Sequence, residues 1–289
     1  MRGKSSPHRS PGRPPDRRIF GCISDTRTRN RLEVALRGHA PIEWFHTFAE
    51  LRVALEDERR ICTVLVGMQD GRGESAANFA AALRREGRGA AIVACCDLNA
   101  NGVQPVSELA VAGVHDVLFT GLNDDGHSAR MVIFGACLGG AGDVVVNAVT
   151  PSIPSAMLRF VDLAARRPRE LRRVSEVAEA LGVSRQTLGR WCRVQKYIGP
   201  EELLMWVRLL LVASLLEATN ETLESIAYEM QYGSPTALRN RIREYAGLRA
   251  TDLRDGGLRL MLEAFHRRID AVRRQWPNVT ESTRSTGAR

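Results

Sequence analysis

VSEVAEALGVSRQTLGRWCR, residues 174–193, and LESIAYEMQYGSPTALRNRIREY, residues 223–245, decide the reading of this 289-residue chain. In the first, Val174, Val177, Ala178 and Leu181 recur at helical spacing and predict a buried stripe. Gly182 follows at a tight turn. Ser184 then caps a second helix, its hydroxyl free to take an unpaired amide. Leu188 and Trp191 are expected to face inward, leaving Arg185, Gln186, Arg190 and Arg193 outward. The second stretch repeats the plan. Leu223, Ile226 and Ala227 make its first stripe, Met230-Gln231-Tyr232 its turn, Ser234 its cap, and Pro235 takes the first helical position. Leu238 and Ile242 face inward at i, i+4; Thr236, Arg239, Asn240 and Arg243 remain outside. Each stretch thus reads as a helix-turn-helix.

Arg can take guanine bidentately, and Gln or Asn can take adenine, so these outer faces suit base edges or phosphates. The candidate DNA-contacting residues are Ser184, Arg185, Gln186, Arg190, Arg193, Ser234, Thr236, Arg239, Asn240 and Arg243. Between the two units, Pro200–Glu217 reads as one helix with Leu203, Leu204, Val207, Leu210 and Leu211 on a broad apolar side. At 1.5 Å per residue it spans about 27 Å. A rigid spacer of that size suits two reading helices held about 34 Å, one duplex turn, apart. Taken singly, each apolar stripe is ordinary core and each exposed arginine an ordinary solvated charge. Two capped units in tandem with a fitted spacer are what point to duplex DNA.

The stretches "VAEALGVSRQTLGRWCR", "PEELLMWVRLLLVASLLE" and "SIAYEMQYGSPTALRNRIREYAGLRATDLR" resemble the AraC/XylS family of transcription regulators over roughly Pro151–Arg254. The resemblance implies promoter binding and control of transcription, with double-stranded promoter DNA as partner and a contact to RNA polymerase. Two positions depart from the family pattern. Gln231 replaces the glycine expected at the second turn, and Ala250 stands where proline is usual.

Ahead of this module, short apolar runs alternate with amphipathic stretches. Strands are expected at Ile19–Ser24, Ile42–Phe45, Ile61–Met68, Ala90–Cys96 and Asp116–Phe119. Helices are expected at Arg29–Arg37, Phe48–Leu55, Ser75–Glu86, Val106–Ala112 and Asp125–Leu138. Apolar strands alternating with helices imply a doubly wound, five-stranded parallel sheet of receiver or flavodoxin type. The order resembles a response-regulator receiver domain, whose chemistry needs an acidic pair, an acceptor aspartate, a hydroxyl and a lysine at set strand ends. Here a single acid, Asp25, follows the first strand. Gly67 ends the third where the acceptor belongs, Cys95–Cys96 end the fourth, and Thr120 stands in place of lysine. Asp70 lies three residues too late. The front domain therefore reads as a scaffold without phosphoacceptor chemistry, used for homodimerisation or for binding a partner or small ligand. The plainer alternative is a domain kept for stability.

The expected fold is thus two domains: an N-terminal α/β doubly wound parallel sheet and a C-terminal all-α tandem helix-turn-helix. The segments are a disordered basic tail at 1–18, the α/β domain at 19–140, a linker at 141–153, the reading domain at 154–256, a helix at 257–276 and a disordered tail at 277–289. Gly139–Gly142 reads as a flexible break, with a short strand or helix end at Asp143–Ala148. Ser152 is the expected cap of a helix from Pro154 to about Arg166. The basic run Arg166–Arg173 suits either a solvated turn or a phosphate contact. The last helix, Leu258–Trp276, carries an apolar side that must bury against the reading domain or pair between subunits.

The net charge of +8 favours an anionic partner without locating it. Cys22, Cys62, Cys95, Cys96, Cys137 and Cys192 show no metal-ligand spacing, and adjacent strand residues such as Cys95 and Cys96 point to opposite faces. They read as buried hydrophobes in a reducing compartment; a redox sensor is the alternative. Asp124, Asp125 and His127 read as a loop entering a helix rather than as a metal site. No stretch reads as a membrane span or a signal peptide. The expectation is a cytoplasmic, non-enzymatic, sequence-specific regulator without cofactor. Its rivals are a non-specific chromosome-organising protein and a sensor acting through the front domain.

Overall fold

The computed structural model describes residues 19–275, apart from 38–40, 57, 59–61, 87–89, 98–102 and 220. The two expected disordered tails lie outside the described residues. Five strands, β1 (Ile19–Cys22), β2 (Ile42–Trp44), β3 (Cys62–Gly67), β4 (Ala90–Asp97) and β5 (Asp116–Thr120), form one parallel sheet in the order β2-β1-β3-β4-β5. Register is set by pairs such as Phe20 with Val64, Leu65 with Val93 and Cys95 with Leu118. The crossovers are α1 (Thr26–Ala35), α2 (Phe48–Ala54), α3 (Ala76–Arg85) and α4 (Val103–Ala112), and α5 (Gly126–Val149) follows β5.

Every residue of β3 is buried, which explains its uninterrupted apolar run. One face of the sheet (Phe20, Cys22, Val64, Val66, Ile92, Cys96) packs on Phe48, Leu51, Phe79 and Leu83. The other (Ile19, Leu65, Val93, Cys95) packs on Leu32, Leu36, Phe134 and Leu138. Cys95 and Cys96 therefore sit in opposite layers, and all six cysteines are buried thiols.

The expected break at Gly139–Gly142 does not exist. The helix α5 runs unbroken through it to Val149, so most of the expected linker is helical and Asp143–Ala148 is neither strand nor terminus. The glycines serve close packing instead. A Cβ on Gly140 would lie 3.3 Å from Ala91 of β4, and one on Gly142 only 2.8 Å from the Ala165 carbonyl oxygen. Small residues let one helix press against the sheet on one side and the next domain on the other. Asp143 fastens that seam, accepting from His115 Nε2 at 3.2 Å and pairing with Arg166. Burial pushes its carboxyl up, but the His115 and Arg166 partners outweigh this and hold it below the usual range.

Residues 126–152 are long enough to cross a membrane, and an 18-residue window within them has a mean hydropathy of 1.7. That corrects the sequence expectation, which split the segment at its glycines. Of that window 56% is buried within the protein, as in the core helix of a soluble domain.

The carboxy-terminal half comprises α6 (Leu158–Arg166), α7 (Val174–Ala180), α8 (Arg185–Val194), α9 (Pro200–Ala218), α10 (Leu223–Glu229), α11 (Pro235–Ala246) and α12 (Gly257–Gln275). Ser152 does not cap α6. It lies in a 3-10 turn and its hydroxyl bonds His266 Nε2 of α12 at 2.9 Å, while a second turn, Ser155–Met157, leads into the helix. The centre is α9, with fourteen of its nineteen residues buried. Each buried Leu or Val there contributes roughly 1.5–3 kcal/mol. Trp206 meets Tyr245 of α11 and Phe265 of α12, at 5.4 and 5.6 Å between ring centroids. The last helix packs on α9 within the same chain, burying Met261, Phe265, Ile269 and Val272. One hydrophobic core runs from the inner sheet face through α5 into α6, α9 and α12.

Candidate nucleic-acid interface

The first unit is α7, a turn, and α8. Gly182 takes the left-handed conformation (φ +68°) that the turn requires, and the Val183 N–H reaches the Ala178 carbonyl at 3.0 Å. The Ser184 hydroxyl accepts the Thr187 N–H at 3.1 Å, capping α8. The buried pair is Leu188 and Cys192. Trp191, expected to face inward with Leu188, is half-buried and packs against the core. Arg185, Gln186, Arg190 and Arg193 are all exposed. Arg185 is held by Glu201 of α9 at 3.0 Å. An open groove of about 690 Å³ runs alongside, lined by Arg185, Gln186, Gly189 and Arg193 of α8 with Tyr197 and Glu201 opposite.

The second unit is α10, a turn, and α11. Thr222 caps α10 through the Ser225 N–H at 3.0 Å, and Ser234 caps α11 through the Ala237 N–H at 3.0 Å. Leu238 and Ile242 are fully buried. Thr236, Arg239, Asn240 and Arg243 are exposed, with Arg239 paired to Glu224 at 2.6 Å. Gln231 occupies the place that Gly182 fills in the first unit and adopts φ +55°, so the turn keeps its shape at a cost in strain.

What fixes the units together is a residue that the sequence reading passed over. Arg208, in the middle of α9, is buried at 5% exposure. Its guanidinium donates to the Pro168 carbonyl at 2.8 Å, ahead of the first unit, and to the Met230 carbonyl in the turn of the second. It also lies 5.2 Å from the Tyr232 ring centroid. A single cation inside the apolar run WVRLLL is the signal that could have marked it. Glu201 and Glu224, which hold Arg185 and Arg239, carried no such signal.

The basic run before α7 is largely braced. Arg166 pairs with Asp162 and Asp143, Arg167 with Glu170, and Arg169 with Glu229. Glu176 accepts the backbone N–H groups of Arg172 and Arg173, capping α7.

In the front domain, three acids near the carboxyl ends of the strands, Asp25, Asp70 and Asp125, serve the backbone. Asp25 caps α1 through Arg27 and Thr28. Asp125 caps α5 through His127 and Ser128, and Asp124 pairs with Arg31 at 2.9 Å. Asp70 is buried and accepts N–H groups from Phe48, Arg72 and Glu74 at 2.8–2.9 Å. Burial raises its carboxyl, but these amides outweigh that and hold it low. Gly67 ends β3 and Thr120 ends β5. Burial pushes the Cys22 thiol to about 12 and that of Cys192 to about 11, and raises those of Cys95 and Cys96, so these thiols stay protonated and unreactive at neutral pH. Among the described residues no cluster of His, Cys, Asp and Glu could hold a metal ion.

Comparison with solved structures finds full-length FixJ from B. japonicum at 14% identity and a TM-score of 0.35, covering 86% of this chain and 97% of that one. It also finds the response regulator StyR at 14% identity and 0.33, covering 80% and 100%. Both scores are below 0.5, so the receiver-like order rests on this chain's own sheet. No curated protein matches the sequence. Residues 177–256 match the family model described as a helix-turn-helix domain, and that stretch is accordingly a DNA-binding helix-turn-helix domain of the kind that transcription regulators carry.

Proposed function

We propose that the protein is a sequence-specific transcription regulator that lays α8 and α11 in two successive major grooves of promoter DNA. The carrying observation is the pair of Ser-capped helices with exposed Arg, Gln, Asn and Thr faces, both packed on one buried spacer. Nineteen residues give α9 a length of about 28 Å, suited to grooves about 34 Å apart. Arg190, Arg193 and Arg243 have no carboxylate partner among the described residues and are offered first to bases and phosphates. The front domain acts as a dimerising or signal-binding scaffold without aspartyl phosphorylation, since its acids already hold backbone amides. RNA polymerase contact and cytoplasmic residence accompany this role.

The test is a salt titration on a duplex enriched by binding-site selection and on a random duplex. Preference for the selected site by about 10³-fold or more at physiological salt is expected. Arg190→Ala lowers that affinity by about 1–3 kcal/mol. A ratio near one would leave only non-specific, chromosome-organising binding. Incubation with acetyl phosphate and magnesium leaves the intact mass unchanged; an added phosphoryl group would refute the scaffold reading.

A further inference from the structure

The segment matched to the helix-turn-helix family ends at residue 256, and α12 begins at Gly257. This helix runs antiparallel along α9. At its start the Leu258 N–H meets Glu217 near the end of α9 at 3.0 Å, and further on Arg268 grips Glu202 near the start of α9 at 2.6 and 3.0 Å. The last turn is therefore carried past the first residues of α9, to the turn that follows α8. That turn holds Tyr197, which lines the same groove as Arg185, Gln186 and Arg193. Burial raises the Tyr197 phenol, and the charge of Arg273 lowers it.

From this placement we propose that the carboxy-terminal end of α12 is a third DNA contact, in which Arg273 and Arg274 bind duplex phosphates flanking the groove entered by α8. The inference rests on the DNA-reading function above. Both side chains are exposed and lack an ion-pair partner among the described residues, unlike Arg259 with Glu263 and Arg268 with Glu202 earlier in the helix. Val272 of the same turn is buried in the core, so guanidinium groups beside it present their charge on an ordered backbone, with less further ordering cost. Such contacts position a protein on DNA without reading sequence.

The test uses the full chain on a random-sequence duplex several helical turns long and on a selected site. Neutralising both positions, R273Q/R274Q, should make the slope of log affinity against log salt shallower by about 1.8. The ratio of selected to random affinity stays the same. The control R84Q/R85Q removes equal charge from the end of α3 and leaves the slope unaltered. An unchanged slope in R273Q/R274Q overturns the third contact and leaves the reading function standing, as does an equal loss in the control. A fall in thermal stability without a change of slope assigns these arginines to the helix terminus alone and likewise overturns the proposal. Wild-type protein that binds neither duplex overturns both inferences.

Discussion

Arg208→Met tests how the two reading units are held in one frame. The native guanidinium satisfies two backbone carbonyls, of Pro168 and Met230, inside the protein. Methionine fills a similar volume but donates nothing. Two buried acceptors then go unpaired, at about 1–3 kcal/mol each. The contact with the Tyr232 ring, worth about 0.5–2 kcal/mol, is also lost. Against these stands the relief of no longer burying a cation that has no carboxylate partner among the described residues, a gain of several kcal/mol in principle. The balance is a net destabilisation of about 2–4 kcal/mol, or a fall of roughly 3–7 °C in Tm for a chain this size. Arg208→Lys keeps the charge but cannot span both carbonyls, so it should lose about half as much. Thermal and urea unfolding followed by circular dichroism measure both variants. Below the midpoint, affinity for a selected duplex should also fall, since the Met230 turn that aims α11 is released. A methionine variant as stable as the wild type, with the same affinity, would show that Arg208 neither braces the turn nor couples the units.

Gln231→Gly removes a left-handed strain of about 1–2 kcal/mol and adds about 0.4–1 kcal/mol of unfolded-chain entropy, so it should stabilise by up to about 1 kcal/mol; a lowered midpoint in urea would contradict the strain. Gly142→Ala forces a Cβ to within 2.8 Å of the Ala165 carbonyl and should cost about 1–3 kcal/mol, read in the same unfolding assay, where an unchanged midpoint would mean the seam is loose. The depressed Asp70 carboxyl gives a pH signature. Its stabilisation is fully present above the ordinary carboxylate range and is lost as pH falls through the lower, folded-state value. Asp70→Asn should therefore be less stable than wild type at pH 7, with the gap closing in acid; a gap that persists or widens in acid would refute this.

Much of the architecture was legible because its determinants are local. The apolar run Cys62–Gly67 could only be a doubly covered strand, and Ser184 and Ser234 announce their helices by chemistry that acts within three residues. The outer faces of α8 and α11 followed from helical phase alone. Phase also buries Cys192 fully at i+4 from Leu188, beside the half-buried Trp191 at i+3. The glycines of α5 misled. Glycine lowers helix propensity, but propensity yields where a tertiary neighbour needs the missing Cβ, and Ala91 and Ala165 lie far off in sequence. Arg208 stands out as a lone cation in an apolar run, but what it braces does not, because both of its acceptors are backbone atoms, which no side-chain pattern reports.

The unbroken α5 changes what the front domain can do to the reader. A flexible linker would pass on only proximity. Here Phe134 and Leu138 face the sheet while Val145 and Val149 belong to the same core that holds Phe160, Leu204 and Met261. Asp143 adds a polar clasp between His115, just before β5, and Arg166 of α6. A displacement of β5 or α5 therefore cannot be absorbed between the domains, because close-packed interiors transmit strain rather than dissipate it. It must be taken up by α6 and α9, and α9 carries Arg208, whose two hydrogen bonds set where the second unit sits relative to the first. Any ligand or subunit that binds the front domain differently in two arrangements of that seam has a continuous physical route to the spacing of α8 and α11.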